Sequence, residues 1–117
     1  MRVDKLVQAA IAALEDKKAH DIRAFDVRRL TSLYDTLVIA SGDSNRQVRA
    51  LAHHVRDELK DIGARILGVE GDEGGEWVLV DAGDIVVHVM QPAVRRYYNL
   101  EELWAPEAGA RHARNAA

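Results

Sequence analysis

Two β-branched runs split by a glycine turn constrain this chain more than any other feature. Trp77-Val78-Leu79-Val80-Asp81 and Asp84-Ile85-Val86-Val87-His88-Val89-Met90 flank Ala82-Gly83. Short runs rich in Val and Ile, joined by two residues that include Gly, are the pattern of a β-hairpin. Side chains alternate across a strand, so a hairpin has two defined faces. With Asp81 opposite Asp84, Val80 faces Ile85, Leu79 faces Val86, Val78 faces Val87 and Trp77 faces His88. One face, carrying Val78, Val80, Ile85, Val87 and Val89, is wholly aliphatic and suits packing on helices. The other carries Trp77, Leu79, Val86, His88 and Met90.

That second face lacks the Thr, Lys, Glu or Gln expected under water. A contiguous apolar stripe marks an interface more often than a free surface, and Trp and Met are enriched in interface cores. Two readings stay open on the pattern alone: the stripe is a docking surface, or a segment such as Leu103-Trp104 covers it.

The chain around the hairpin supplies the other layers. Val3, Leu6, Val7, Ala10, Ile11 and Leu14 recur at helical spacing. Ile22 to Val27 alternates as a half-exposed strand does. Leu37-Val38-Ile39-Ala40 is a continuous apolar run, expected as a strand buried on both faces. A second helix begins at the Ser44 cap, with Gln47 completing a capping box. Its apolar stripe is Val48, Leu51, Ala52, Val55, Leu59 and Ile62, and Gly63 ends it. Arg65 to Val69 reads as a third strand, at an edge, and Glu70 to Glu76 as an acidic glycine-rich loop. The order strand, helix, strand from Leu37 to Val69 suits a parallel crossover. After Pro92 a short turn or helix holds Arg95, Arg96, Tyr97 and Tyr98, and Asn99 with Glu102 repeats the N-cap pattern. The expected fold is α/β, a mixed sheet with helices mainly on one face. One domain over 1–105 and a disordered tail over 106–117 are expected.

Composition narrows the function classes. The net charge is −3, whereas a protein gripping phosphate backbones is usually basic. A basic protein partner is the easier reading, with little direct RNA binding. The absence of cysteine removes disulfides, thiolate nucleophiles and Cys-ligated metals. No apolar run approaches the roughly 20 residues that span a bilayer, and Met1–Lys5 does not open a signal peptide, so a cytoplasmic location is expected.

Candidate catalytic features are weak. His53 and His54 are adjacent on a helix and point apart, with no His four residues away to complete a metal pair. Ser41-Gly42-Asp43-Ser44 lacks the Gly content and the Lys of a P-loop. Asp81, Asp84 and His88 would be the residues of a metal-dependent or nucleotidyltransferase-like enzyme, the competing reading. Aspartates flanking a tight turn, however, commonly bond its backbone. No catalytic, metal or cofactor site is expected.

Three segments resemble the signatures of the Iojap family of ribosomal silencing factors. The first is Tyr34-Asp35, Leu37 to Gly42 and Ser44 to Val48. The second is Glu76 to Asp81 with Gly83 to Met90. The third is Arg95 to Glu101 with Leu103-Trp104. The likeness spans residues 3–104, with departures at Thr36-Leu37 and Asp43. It implies a nucleotidyltransferase-like fold without catalysis. It also implies binding to the large ribosomal subunit through ribosomal protein L-fourteen, which blocks subunit joining and represses translation when nutrients are short; organelle members act in large-subunit maturation. The implied contact residues are Trp77, Leu79, Val86, His88, Met90, Arg95 and Tyr98. Glu70, Asp72, Glu73, Glu76, Asp81 and Asp84 are expected to rim the patch and steer it. A homodimer through the same face is the other expected occupant.

Overall fold

The computed structural model describes residues 3–104 and 109–114. The elements run α1 (Val3–Asp16), β1 (His20–Asp26), β2 (Thr36–Ser41), α2 (Asn45–Asp61), β3 (Gly68–Glu70), β4 (Trp77–Asp81), β5 (Ile85–Met90), α3 (Pro92–Tyr98), α4 (Leu100–Trp104) and β6 (Gly109–Arg114). The strands form one mixed sheet in the order β3-β4-β5-β2-β1-β6. Of the segment 106–117, expected as a disordered tail, the described part pairs antiparallel with β1; the remainder lies outside the described residues.

The long helices follow their stripes. α1 buries Leu6, Val7, Ala10, Ile11 and Leu14, and α2 buries Val48, Leu51, Ala52, Val55 and Leu59. Ser44 accepts from the Gln47 N–H at 3.0 Å, and Gln47 Oε1 accepts in return from the Asp43 N–H at 2.6 Å. The reciprocal cap therefore closes one residue earlier than in the usual box. Gly63, with φ 95°, ends the helix. Both helices lie on the face that carries Val78, Val80, Ile85, Val87 and Val89, where they build the larger core with Val38 and Ala40.

The hairpin turn sits one residue later than expected. Ala82 donates to the Ile85 carbonyl at 3.0 Å, so Gly83-Asp84 is the turn, and Gly83 takes φ 83°. Positive φ at the first central residue is what a II′ hairpin requires of glycine. The register becomes Trp77 opposite Met90, Leu79 opposite His88 and Asp81 opposite Val86. This differs from the expected pairing by two residues. A one-residue slip would have turned a strand over, whereas a two-residue slip leaves every side chain on its face. The two stripes are therefore as read from the sequence.

The crossover from β2 through α2 to β3 is parallel, as expected, because β3 and β5 both run antiparallel to β4 and β5 runs parallel to β2. β2 pairs in parallel with β5, from Thr36 opposite Ile85 to Ser41 opposite Met90. β3 is a short edge strand paired only with β4, so the α2 crossover spans two intervening strands. β2 is fully buried on both faces, as its apolar run implies. The Asp84 carbonyl accepts from the Asp35 and Thr36 N–H groups at 2.8 and 3.2 Å. The hairpin turn thus anchors the start of β2.

Candidate functional site

The second sheet face is partly sealed. Phe25, Val27, Leu37, Ile39, Val86 and Met90 form a smaller core there, with Tyr34, Trp77, Leu79, Val94 and Leu100 packed against it. α3 and α4 contribute Val94 and Leu100 to this cover; the side chains of Leu103 and Trp104, the segment named as a possible cover, lie outside the described residues. What stays accessible is the β4 side of the stripe and the outer side of α3. Trp77 and Leu79 are half-buried, Tyr98 is 56% exposed and Tyr97 82%.

The expected site residues therefore fall into two layers. Trp77, Leu79 and Tyr98 reach the surface. Val86, His88, Met90 and Arg95 are buried beneath them. Met90 has no exposed surface, because α3 begins directly after it at Pro92 and folds back over the sheet. It can act only as support.

The upper layer is an aromatic stack. The Trp77 and Tyr98 rings lie 5.0 Å apart and tilted by 47°, and Tyr97 meets Tyr98 edge-on at 5.1 Å. Offset aromatic pairs contribute about 0.5–1.5 kcal/mol beyond their buried area. Beneath it, Trp77 Nε1 donates to His88 Nδ1 at 2.9 Å. Burial pushes the His88 pKa down to about 4, so the ring is neutral at physiological pH. A shallow depression of about 220 Å³, lined by Glu70, Gly71, Trp77 and Leu79, adjoins the stack.

Arg95 is the residue whose place the sequence hid. It is 7% exposed. One terminal nitrogen donates to the Asp21 carbonyl at 2.7 Å and to Ser41 Oγ at 2.9 Å, while Nε donates to Glu101 Oε1 at 2.7 Å. Arg23 reaches the other Glu101 oxygen at 2.9 Å. The hydrogen bond from Arg95, aided by the charges of both arginines, holds the Glu101 carboxyl below its ordinary value. Asp21, at φ 48°, sits where the β1–β2 register shifts. This bulge aims its carbonyl at Arg95 instead of at a neighbouring strand. Sequence reasoning missed Asp21, Ser41 and Glu101. No local signal marks them, because the three acceptors lie on separate elements.

The acidic loop is not a free rim. His53 Nε2 lies 2.8 Å from Asp72 Oδ1, and Arg49 donates to the Glu73 carbonyl at 3.3 Å. Both contacts tie the loop to α2. Glu70 stays beside Trp77.

The enzyme residues do not combine. Asp81 Oδ1 accepts from the Gly83 N–H at 2.9 Å, the turn-bonding role. His88 is engaged by Trp77. Among the described residues, no group of three or more His, Cys, Asp or Glu is placed to hold a metal. No described helix is long and apolar enough to cross a membrane.

Comparison with known proteins agrees with this architecture. Residues 1–116 match the family model described as "Ribosomal silencing factor during starvation". A Chromobacterium violaceum protein named ribosomal silencing factor RsfS is 57% identical over 104 residues, covering 89% of this chain and 85% of that one. A solved Chromobacterium violaceum structure superposes with a TM-score of 0.88 at 51% identity, covering 100% of this chain and 94% of its own. A more distant mouse protein, named mitochondrial assembly of ribosomal large subunit protein 1, is 32% identical over 101 residues, 84% of this chain and 44% of its own. The chain belongs to the family of ribosomal silencing factors.

Proposed function

We propose that this protein docks on the large ribosomal subunit through ribosomal protein L-fourteen, blocks subunit joining and so lowers translation under nutrient limitation. It acts by occupying surface and not by catalysis, in the cytoplasm, with little direct contact to RNA. The carrying observation is the Trp77–Tyr98 ring pair, left accessible on a partly sealed sheet face in a chain of this family. Aromatic anchors of this kind dominate interface energetics. A stable dock needs about 800 Å² of this protein's surface, more than the stack alone. Leu79, Tyr97 and the Glu70 side of the depression are the neighbours that extend it. The acidic balance of the chain favours a basic protein.

Co-sedimentation with isolated large subunits tests the dock. Trp77→Ala and Tyr98→Ala should each weaken binding by about tenfold or more, the scale of an interface hot spot. Wild-type retention by both would remove this surface from consideration. Adding small subunits tests the consequence: joined ribosomes should fall as the protein is titrated in. Self-association through the same surface is the competing occupant, and light scattering across concentration separates it.

A further inference from the structure

The buried guanidinium of Arg95 has no role in the docking reading beyond proximity, yet it joins more segments than any other side chain near the stack. Its partners lie on the β1 bulge (Asp21), the last residue of β2 (Ser41) and α4 (Glu101). α3 has seven residues, and so short a helix has little stability of its own in water. Its first residues are fixed by the end of β5: Gln91 donates to the Glu76 carbonyl at 3.0 Å, and the Gln91 and Asn45 side chains bond each other. Its far end carries Tyr98. Between them, Val94 packs into the smaller core and Arg95 supplies the polar side-chain tie seen among the described residues. Tyr98 lies one helical turn beyond both, so its ring position depends on how that turn is held.

We propose that Arg95 is the positioning residue of the docking surface: it clamps α3 to the β1 bulge, β2 and α4, and thereby sets the Tyr98 ring against Trp77. It does not touch the partner. This inference rests on the docking reading for its consequence, and on the free protein for its geometry. Lysine cannot replace Arg95, because the three acceptors lie on two sides of a planar fork and an ammonium is a single point charge.

A double-mutant cycle on the full chain, read by co-sedimentation with isolated large subunits, tests it. Arg95→Met should weaken binding about tenfold, comparable to Tyr98→Ala. The double variant should bind no worse than Tyr98→Ala alone, within about twofold, because the clamp acts only through that ring. Losses that multiply, or wild-type binding by Arg95→Met, would overturn the proposal. A second readout uses the free protein in a Trp104→Phe background, where Trp77 is the remaining tryptophan. Its near-UV circular dichroism should collapse in Arg95→Met to the level of Tyr98→Ala, with the far-UV spectrum kept. An unchanged near-UV band would overturn the proposal. If Arg95→Met does not fold, Ser41→Ala removes one arm of the clamp and takes its place in the same cycle, with the same criteria. If the wild-type chain fails to bind large subunits, the docking reading falls by itself, and the near-UV comparison still decides the positioning claim.

Discussion

The indole N–H of Trp77 donates to His88 Nδ1 at 2.9 Å, so the neutral imidazole accepts at Nδ1 and carries its own proton on Nε2. An indole nitrogen can only donate, which leaves no other arrangement. Protonating Nδ1 would break the bond and bury a charge, consistent with a folded pKa of about 4 against the ordinary 6.5.

The sign of the pH effect follows. Between 6.5 and about 4 the unfolded chain binds a proton at His88 that the folded chain does not. Stability therefore rises with pH across that window: the contribution is complete above 6.5 and falls away toward 4. The full swing is about 3 kcal/mol at most. Urea unfolding at pH 7.0, 5.5 and 4.5 checks it. His88→Asn keeps an acceptor for Trp77 without titrating, so its stability should decline less over the window than the wild type's. Parallel declines would show that His88 is not the group responsible.

Removing the donor should do the opposite to the proton. Trp77→Phe keeps an aromatic ring beside Tyr98 but leaves Nδ1 of a buried histidine without its partner. Such an acceptor costs about 1–3 kcal/mol. The same change frees Nδ1 for a proton, so the His88 imidazole resonances should titrate closer to 6.5 than in the wild type.

Thr36 is fully buried, and its hydroxyl has no hydrogen-bond partner among the described residues. It lies where β2 begins, opposite Ile85. Thr36→Val replaces the hydroxyl by a methyl of similar size and should raise stability by about 1 kcal/mol, because the buried polar group is removed and no bond is lost. Chemical denaturation reads this directly, and a loss of stability would mean that the hydroxyl is satisfied in solution.

Two glycines with similar backbone angles should respond differently to alanine. Gly71 has φ 82° and Gly83 φ 83°. A Cβ on Gly71 would sit 2.1 Å from the Trp77 carbonyl oxygen, whereas one on Gly83 meets nothing nearer than 4.0 Å. Gly83→Ala should cost only the left-handed conformation, about 1–2 kcal/mol. Gly71→Ala must also push the acidic loop off β4, so it should cost more and weaken subunit binding. Thermal melts of both variants, with co-sedimentation, check the ordering.

Much of this architecture was legible because local rules and global fold agree. The cap at Ser44 and Gln47, the doubly buried run at Leu37 to Ala40 and the two faces of the hairpin all follow from spacing. The turn position did not, since Ala82-Gly83 and Gly83-Asp84 are both chemically suitable. That ambiguity was harmless because the two registers differ by an even number of residues. Strand order was illegible for a different reason: the pairing of β2 with β5 joins segments more than forty residues apart, and periodicity carries no information about distant partners. Arg95 was misplaced on the surface because a charge in an Arg-Arg-Tyr-Tyr run looks solvated. Its burial depends on acceptors at Asp21, Ser41 and Glu101, which only the folded chain brings together.

The two cores are unequal, and the aromatic stack rests on the smaller one. α1 and α2 seal their side with 14 and 17 residues, while α3 and α4 cover theirs with seven and five. Segments with few buried contacts open at lower free energy than the molecule as a whole. On warming, this protein should lose its grip on a partner while most of its sheet is still intact. Its working temperature limit is then set by the lighter cover and not by its melting point.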